Sequence, residues 1–405
     1  MSLLAQSPRF PQEILDSFID SVAALGPVHG EEDAALSKCA LVSRSFAHRT
    51  RKHVFRQVLL TAEGNDDCEG MDNEEYLFVF QGFLTWKPRQ PQKDGLTSIA
   101  PYVKKLSLVS YLPVFSTPSD LLLSPHLVSL SLSGIQKLPK ALPAGSHVEQ
   151  LRLRNCSVSK VKARLHFSAR YPTATSSHPR VRKIDVDDVG AASQLLFGVP
   201  DPLYREAATP STVSEVAIPF DSSGQGQEIS TFLTQIKTSV TYIDMKFNDL
   251  VTPPLTQSSF NLTRLEELQH LRFSRYQGSR AFSSTLQLPG LGFDILDVLQ
   301  VPTSLQAFSL QFHYSGDKER FLESFSAPPE ANGWIKLNTF FSLKSSQIAN
   351  VEVSILFSRR PRDTFYGQIE SQVKTALPFF TKSTTTCSLS VIVGCIDDAS
   401  DDGYD

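Results

Sequence analysis

Three carboxylates crowd into the segment "VRKIDVDD": Asp185, Asp187 and Asp188. If the segment is a strand, Asp185 and Asp187 lie on one face, because strand side chains alternate. Two carboxylates on one face could divide general-acid and general-base work in a hydrolase. The same spacing also describes an ordinary solvated strand face, and nothing else completes a catalytic set. The nine histidines are scattered, with no H-E-x-x-H and no Cys/His cluster suited to a metal. Neither a G-x-S-x-G elbow nor a phosphate-binding P-loop occurs. The residues therefore predict a non-enzyme with no cofactor and no metal.

A second cluster is basic. Between Gln150 and Ile184 stand nine Lys or Arg residues (Arg152, Arg154, Lys160, Lys162, Arg164, Arg170, Arg180, Arg182 and Lys183) and no acid. Arginine pairs bidentately with phosphate and carboxylate, so such a run could clamp an acidic or phosphorylated segment. Within it, "YPTATSSHP" reads as a flexible excursion. A further basic stretch, "RSFAHRTRKHVFR", has no aromatic stacking platform, and the chain carries a formal charge of −3. A solvated helix face is expected there, and no nucleic acid.

Composition narrows the class. With 405 residues and 41% hydrophobic content the chain can bury a sizeable core, as an elongated repeat array or as two to three compact units. No apolar run approaches the roughly 18 residues of a membrane span, and "MSLLAQSPRF" lacks the basic start of a secretory signal. Cys39, Cys68, Cys156, Cys387 and Cys395 form no C-x-x-C pair, which suits free thiols in a reducing compartment. A cytoplasmic or nuclear protein without membrane contact is expected.

The N-terminal fifty residues read as three short helices. In "FPQEILDSFIDSVAAL", Pro11 suits a helix start, and Ile14, Leu15, Phe18, Ile19 and Val22 make one apolar stripe ended by Gly26-Pro27. Asp33 is the expected N-cap of "AALSKCAL", and Ser43 or Ser45 can open "SRSFAHRTRKHVF". So small a unit buries little and commonly needs a partner to complete its core.

Pro11, Glu13, Ile14 and Leu15, then Leu36, Leu41 and Val42, then Arg44 and Phe46, follow one another in an order that resembles an F-box. Phe10, Ser43 and Phe46 stand where that family more often has leucine, cysteine and tryptophan. The resemblance implies docking on the Skp adaptor of a cullin-based (SCF) ubiquitin ligase. The residues it implies for the contact are Pro11, Ile14, Leu15, Phe18, Ile19, Leu36, Leu41, Val42 and Phe46.

Beyond the helices, "VLLTAEGNDDCEGMDNEEYLF" carries seven acids between Glu63 and Glu75 and reads as a solvated loop, with Asn73 able to cap one helix. A pattern then recurs: "VKKLSLVS", "LVSLSLSG", "VEQLRLRN", "VRKIDVDD", "VSEVAIPF", "VTYIDMKF", "LQHLRFSR" and "LQAFSLQF". Their centres are Leu106, Leu130, Leu151, Ile184, Val216, Ile243, Leu271 and Phe308, and "ANVEVSILF" and "CSLSVIVG" end the series. This L-x-x-L-x-L core at intervals of about 20–40 residues points to a leucine-rich-repeat solenoid, in which stacking buries what one short strand cannot. Ile229, Phe232, Leu233 and Ile236, and later Phe365, Ile369, Val373 and Leu377, mark helices between strands. The asparagine of regular leucine-rich repeats occurs once, at Asn155. "SIAPYVKKLSL" also resembles the entry to the repeats of fungal F-box proteins.

The expected architecture is α/β: a three-helix F-box over 9–58, an acidic linker with one helix over 61–100, irregular leucine-rich repeats with parallel strands alternating with helices over 101–395, and a disordered acidic tail over 396–405. Residues flanking each inward pair would face the concave side. That nominates Arg152, Arg154, Lys183, Tyr242, Lys246, His270 and Arg272 for a target protein, together with Asp185, Asp187 and Asp244. The expected function is substrate recognition for the ligase, with Skp and through it a cullin as partners. A scaffold acting outside ubiquitination and an intracellular β-solenoid hydrolase are the alternatives.

Overall fold

The computed structural model describes residues 11–24, 32–42, 44–62, 102–110, 126–135, 138, 146–157, 180–197, 212–220, 225–248, 261–277, 296, 299–314, 321–322, 324–326, 333–344, 347–358, 363–381 and 387–395. It divides into two compact units, residues 1–181 with 194–198, and residues 182–193 with 199–405. No described helix is long and apolar enough to cross a membrane.

The first unit opens with α1 (Gln12–Ala24), α2 (Glu32–Val42) and α3 (Arg44–Val54). Pro11 sits just ahead of α1, and its carbonyl accepts the amide N–H groups of Ile14 and Leu15 at 3.1 and 3.4 Å. Its missing N–H costs nothing there. α2 begins at Glu32, so Asp33 lies inside the first turn and is not the N-cap that its side chain suggested. β1 (Gln57–Ala62), β2 (Lys105–Ser110), β3 (Ser129–Ser133) and β4 (Gln150–Arg154) then form parallel neighbours in chain order. β1 takes in residues that the sequence divides between helical segment and linker. Its partner begins more than forty residues later, so one six-residue segment could not announce it. The expected helix after Asn73 and the 396–405 tail lie outside the described residues.

The second unit carries β5 (Lys183–Val186), β6 (Glu215–Phe220), β7 (Tyr242–Asn248), β8 (His270–Gln277), β9 (Ala307–Tyr314), β10 (Asn350–Phe357) and β11 (Ser388–Cys395). Each pairs in parallel with the next. Its helices are α4 (Val189–Phe197), through which the division of the two units runs, then α5 (Gln225–Gln235), α6 (Gly333–Lys344) and α7 (Asp363–Ala376).

The strand centres found in the sequence stand directly opposite one another. Leu106 pairs with Leu130 and Leu130 with Leu151 in the first unit. In the second unit Ile184, Val216, Ile243, Leu271 and Phe308 form a row of their own, followed by Val351 and Leu389. The residue two positions on, such as Leu132, Leu153, Ile218, Met245 and Leu310, is buried on the same side. Strand alternation thus sends two or more apolar residues per strand into one layer and the intervening residues to the opposite face.

α5 and α7 close that layer with the stripes expected of them: Ile229, Phe232, Leu233 and Ile236, then Ile369, Val373 and Leu377, are buried, and Phe365 is half-buried. α6 adds Trp334, Leu337, Phe340 and Phe341. Around Phe308 the layer is aromatic, with Phe273, Phe341 and Phe340 at ring-centre distances of 5.2, 5.4 and 5.7 Å. Asn155 is exposed with φ of 48°, a left-handed conformation that asparagine tolerates, and it ends β4.

Candidate interaction surfaces

In the helical part, burial separates the residues nominated for an adaptor contact. Ile19 and Leu36 are in the core among α1, α2 and α3, at 0% and 6% exposure, so they hold the helices together and present nothing to a partner. Leu15 and Phe46 are half-buried and Pro11 is exposed. Ile14, Phe18, Leu41 and Val42 remain 55%, 56%, 86% and 68% exposed. Ile14 and Phe18 are one helical turn apart on α1, and Phe18 lies 6.4 Å from the Phe46 ring of α3.

A polar clamp sets the angle of α1 against α3. Asp20 on α1 accepts hydrogen bonds from both Arg49 Nε, at 2.7 Å, and Arg49 Nη2, and contacts His53 Nε2 at 2.8 Å. The Arg49 hydrogen bonds, and then that to His53, hold the Asp20 carboxyl well below the usual carboxylate range. The basic residues of α3 are therefore partly committed inside the unit. The sequence shows them only as a basic run.

In the second unit, the face opposite the apolar layer assembles Tyr242, Lys246, His270 and Arg272 on the adjacent strands β7 and β8. Lys246 Nζ donates to Asp185 Oδ1 at 2.8 Å, both side chains being mostly buried. The bridge spans from β5 to β7 over β6, whose residues on those rows are Ala217 and Pro219. A long side chain at either position would stand in its way.

Asp244, opposite Arg272 in the register, accepts a 2.7 Å hydrogen bond from Ser274 Oγ, and burial pushes its carboxyl up. The Arg272 guanidinium stands 5.9 Å from the Tyr242 ring centre, and that ring meets His270 edge-on at 4.9 Å. His270 Nε2 is 2.7 Å from Ser309 Oγ. Lys183 pairs with Glu215 at 3.3 Å on the exposed end of the same face.

Two of the three acids of "KIDVDD" have structural work. Asp185 holds Lys246, and Asp188 accepts the Ala191 N–H at 3.0 Å as the N-cap of α4. Sequence reasoning missed Ser274, Ser309 and His313, since serines and a lone histidine in a strand carry no signal until register places them beside charges.

His313 on β9 is lowered to about 4, first by burial and then by the Arg272 and Lys246 charges. Its folded pKa lies below its unfolded one, so the unfolded chain binds more protons, and stability falls as pH drops from about 6.5 towards 4. This group should remove about 1–3 kcal/mol over that window, allowing for its partial exposure. Asp244 has the opposite sign and offsets part of the loss. Urea unfolding at pH 7 and pH 4.5 checks this: His313→Gln should shallow the difference between the two, and an unchanged difference would contradict it.

Arg152 and Arg154 lie on β4 in the first unit, with Arg152 exposed and Arg154 half-buried. Of the basic run, Lys160, Lys162, Arg164 and Arg170 lie outside the described residues. Comparison of the chain with family models finds no match, and no curated protein matches it.

Proposed function

We propose that the chain is a substrate-recognition adaptor of an SCF-type ubiquitin ligase, docking on a Skp-family protein through α1–α3 and holding a target on the strands that follow. The observation that carries this reading is the exposure of Ile14, Phe18, Leu41 and Val42. These are four of the residues that the F-box resemblance assigns to the adaptor contact, and each leaves large apolar surface in water. Burying such a side chain contributes about 1.5–3 kcal/mol, which favours a covering partner.

The strands support a leucine-rich-repeat reading of the remainder. In Val148-x-x-Leu151-x-Leu153-x-x-Cys156, Cys156 occupies the position that such repeats give to Asn or Cys. Its buried thiol lies 3.3 Å from the Leu132 carbonyl of the preceding strand and 3.2 Å from that of Arg154. Asn155, the residue the sequence suggested for this role, is turned outward. The ligase chemistry would belong to other subunits, and this chain would contribute proximity by tethering.

Binding of the full chain to purified Skp adaptor tests the reading, with Phe18→Asp and Leu41→Asp beside the wild type. Because both side chains are exposed, the helices should keep their circular dichroism. Loss of a contact-centre side chain costs about 2–4 kcal/mol, so affinity should fall by roughly 100-fold. A wild-type chain that does not bind, or variants that bind equally well, would refute it. Skp binding without cullin recruitment would point to a scaffold outside ubiquitination.

A further inference from the structure

We propose that the outer edge of β11 pairs antiparallel with β11 of a second copy of this chain, giving a two-fold dimer centred on Ile392. The pairing uses no residue of α1–α3 and so goes beyond the adaptor reading.

Among the described residues, only β10 pairs with β11. The Ser388 N–H donates to the Ala349 carbonyl at 2.8 Å, which fixes which main-chain groups face β10: those of Ser388, Ser390 and Ile392. The main-chain groups of Leu389, Val391, Val393 and Cys395 turn to the outer edge. The side chains are incompletely covered there as well. On β10, Val351, Val353 and Ile355 are fully buried in the apolar layer. Their register partners on β11, Leu389, Val391 and Val393, are only half-buried. On the opposite face, Ile392 is 45% exposed.

Edge strands are commonly kept from pairing by shortness, Lys, Pro, other charges or a bulge. β11 carries none of these. It is eight residues long, and "SLSVIVGC" has neither a charge nor a proline. Its register with β10 runs unbroken from Ser388 to Cys395, so no bulge bends it away. The segment that follows holds Asp397, Asp398, Asp401, Asp402 and Asp405, a poor match for a neutral apolar edge.

A second copy does match it. With the two-fold axis at Ile392, Val391 stands opposite Val393 of the second copy, Leu389 opposite Cys395, and Ser390 opposite Gly394. Apolar meets apolar and small meets small. Outward-turned residues meet outward-turned residues, and each such pair exchanges two N–H···O bonds. Moving the axis to Val391 would set Ser390 against Ile392, so side-chain matching selects the centre. Both apolar layers then lie on one side of the joined sheet, where Leu389, Val391 and Val393 complete one another's cover. On the other side the two Ile392 residues form a non-hydrogen-bonded pair with Cα atoms about 4.5 Å apart. The contact is the same patch on both copies, so it closes at two.

Sedimentation equilibrium of the full chain tests this. At micromolar concentration the wild type should weigh twice 44.9 kDa. Ile392→Lys and Ile392→Asp should each be monomeric, because each puts two like charges directly opposite one another. Their circular dichroism should be unchanged, since the position is exposed. Mixing the two variants should restore the dimer. Under a mild oxidant Ile392→Cys should cross-link, as Cα separations of about 4.4–6.8 Å permit a disulfide. Ser390→Cys should not, because its counterpart lies about 14 Å away along the strand. A monomeric wild type would leave the edge to another occupant and overturn the proposal. So would a mass that grows past the dimer, a dimer that Ile392→Lys leaves intact, a mixture that stays monomeric, or a cross-link at Ser390→Cys and not at Ile392→Cys.

Discussion

Replacing Phe308 by alanine should destabilise the second unit by about 3–5 kcal/mol, the usual cost of emptying a large aromatic site in a core. Phe308 is fully buried near the start of β9. Its ring touches Phe273 from the neighbouring strand and Phe340 and Phe341 from α6, so it joins strand to strand and strand to helix. All three neighbours would border the cavity, and rigid aromatic rings collapse poorly into it. Single domains have only about 5–15 kcal/mol of stability in all. Denaturant unfolding followed by near-ultraviolet circular dichroism would read the change. A loss under about 1 kcal/mol would mean that Phe308 is not at the packing centre.

Lys246→Met should cost about 2–4 kcal/mol, somewhat less than the 3–5 typical of a fully buried pair, because both partners keep some access to water. Methionine retains most of the stem's packing, so the loss isolates the charge. Asp185 would be left without its ammonium partner, and Asp244 would lose a cation that now favours its ionised form. The double variant Asp185→Asn/Lys246→Met should recover part of that stability, since it removes the stranded carboxylate along with the ammonium. The cycle formed by both single variants and the double measures the coupling. Additive losses would show that the two charges do not interact.

These two sites differ in how far the sequence reveals them. Phe308 was legible as the centre of an L-x-x-L-x-L unit, and within each of the two compact units such centres pair where alignment of the repeats would put them. The helices α5 and α7 were legible from stripes at helical spacing. α4 was not, since "VGAASQLLF" is nearly apolar all round and offers no stripe to read. α6 was legible too, with Trp334, Leu337 and Phe341 at i, i+3 and i+7 behind Asn332, a residue type suited to cap a helix, although it was not among the expected helices. β1 was missed because a single short strand becomes visible only beside its partner.

What the sequence by itself determined is the order of parallel strands and the residues that form their buried layer. Both follow from alternation and from a repeated local pattern, and each segment carries that information within itself. What only the tertiary structure decided is which polar residues meet. Asp185 and Lys246 are 61 positions apart, and their pairing depends on register and on the short residues Ala217 and Pro219 between them. Counting charges likewise gave no sign that Lys183 meets Glu215, Lys246 meets Asp185 and Arg272 stands opposite Asp244. Electrostatic pairing acts across space between strands, so its outcome is written in the fold.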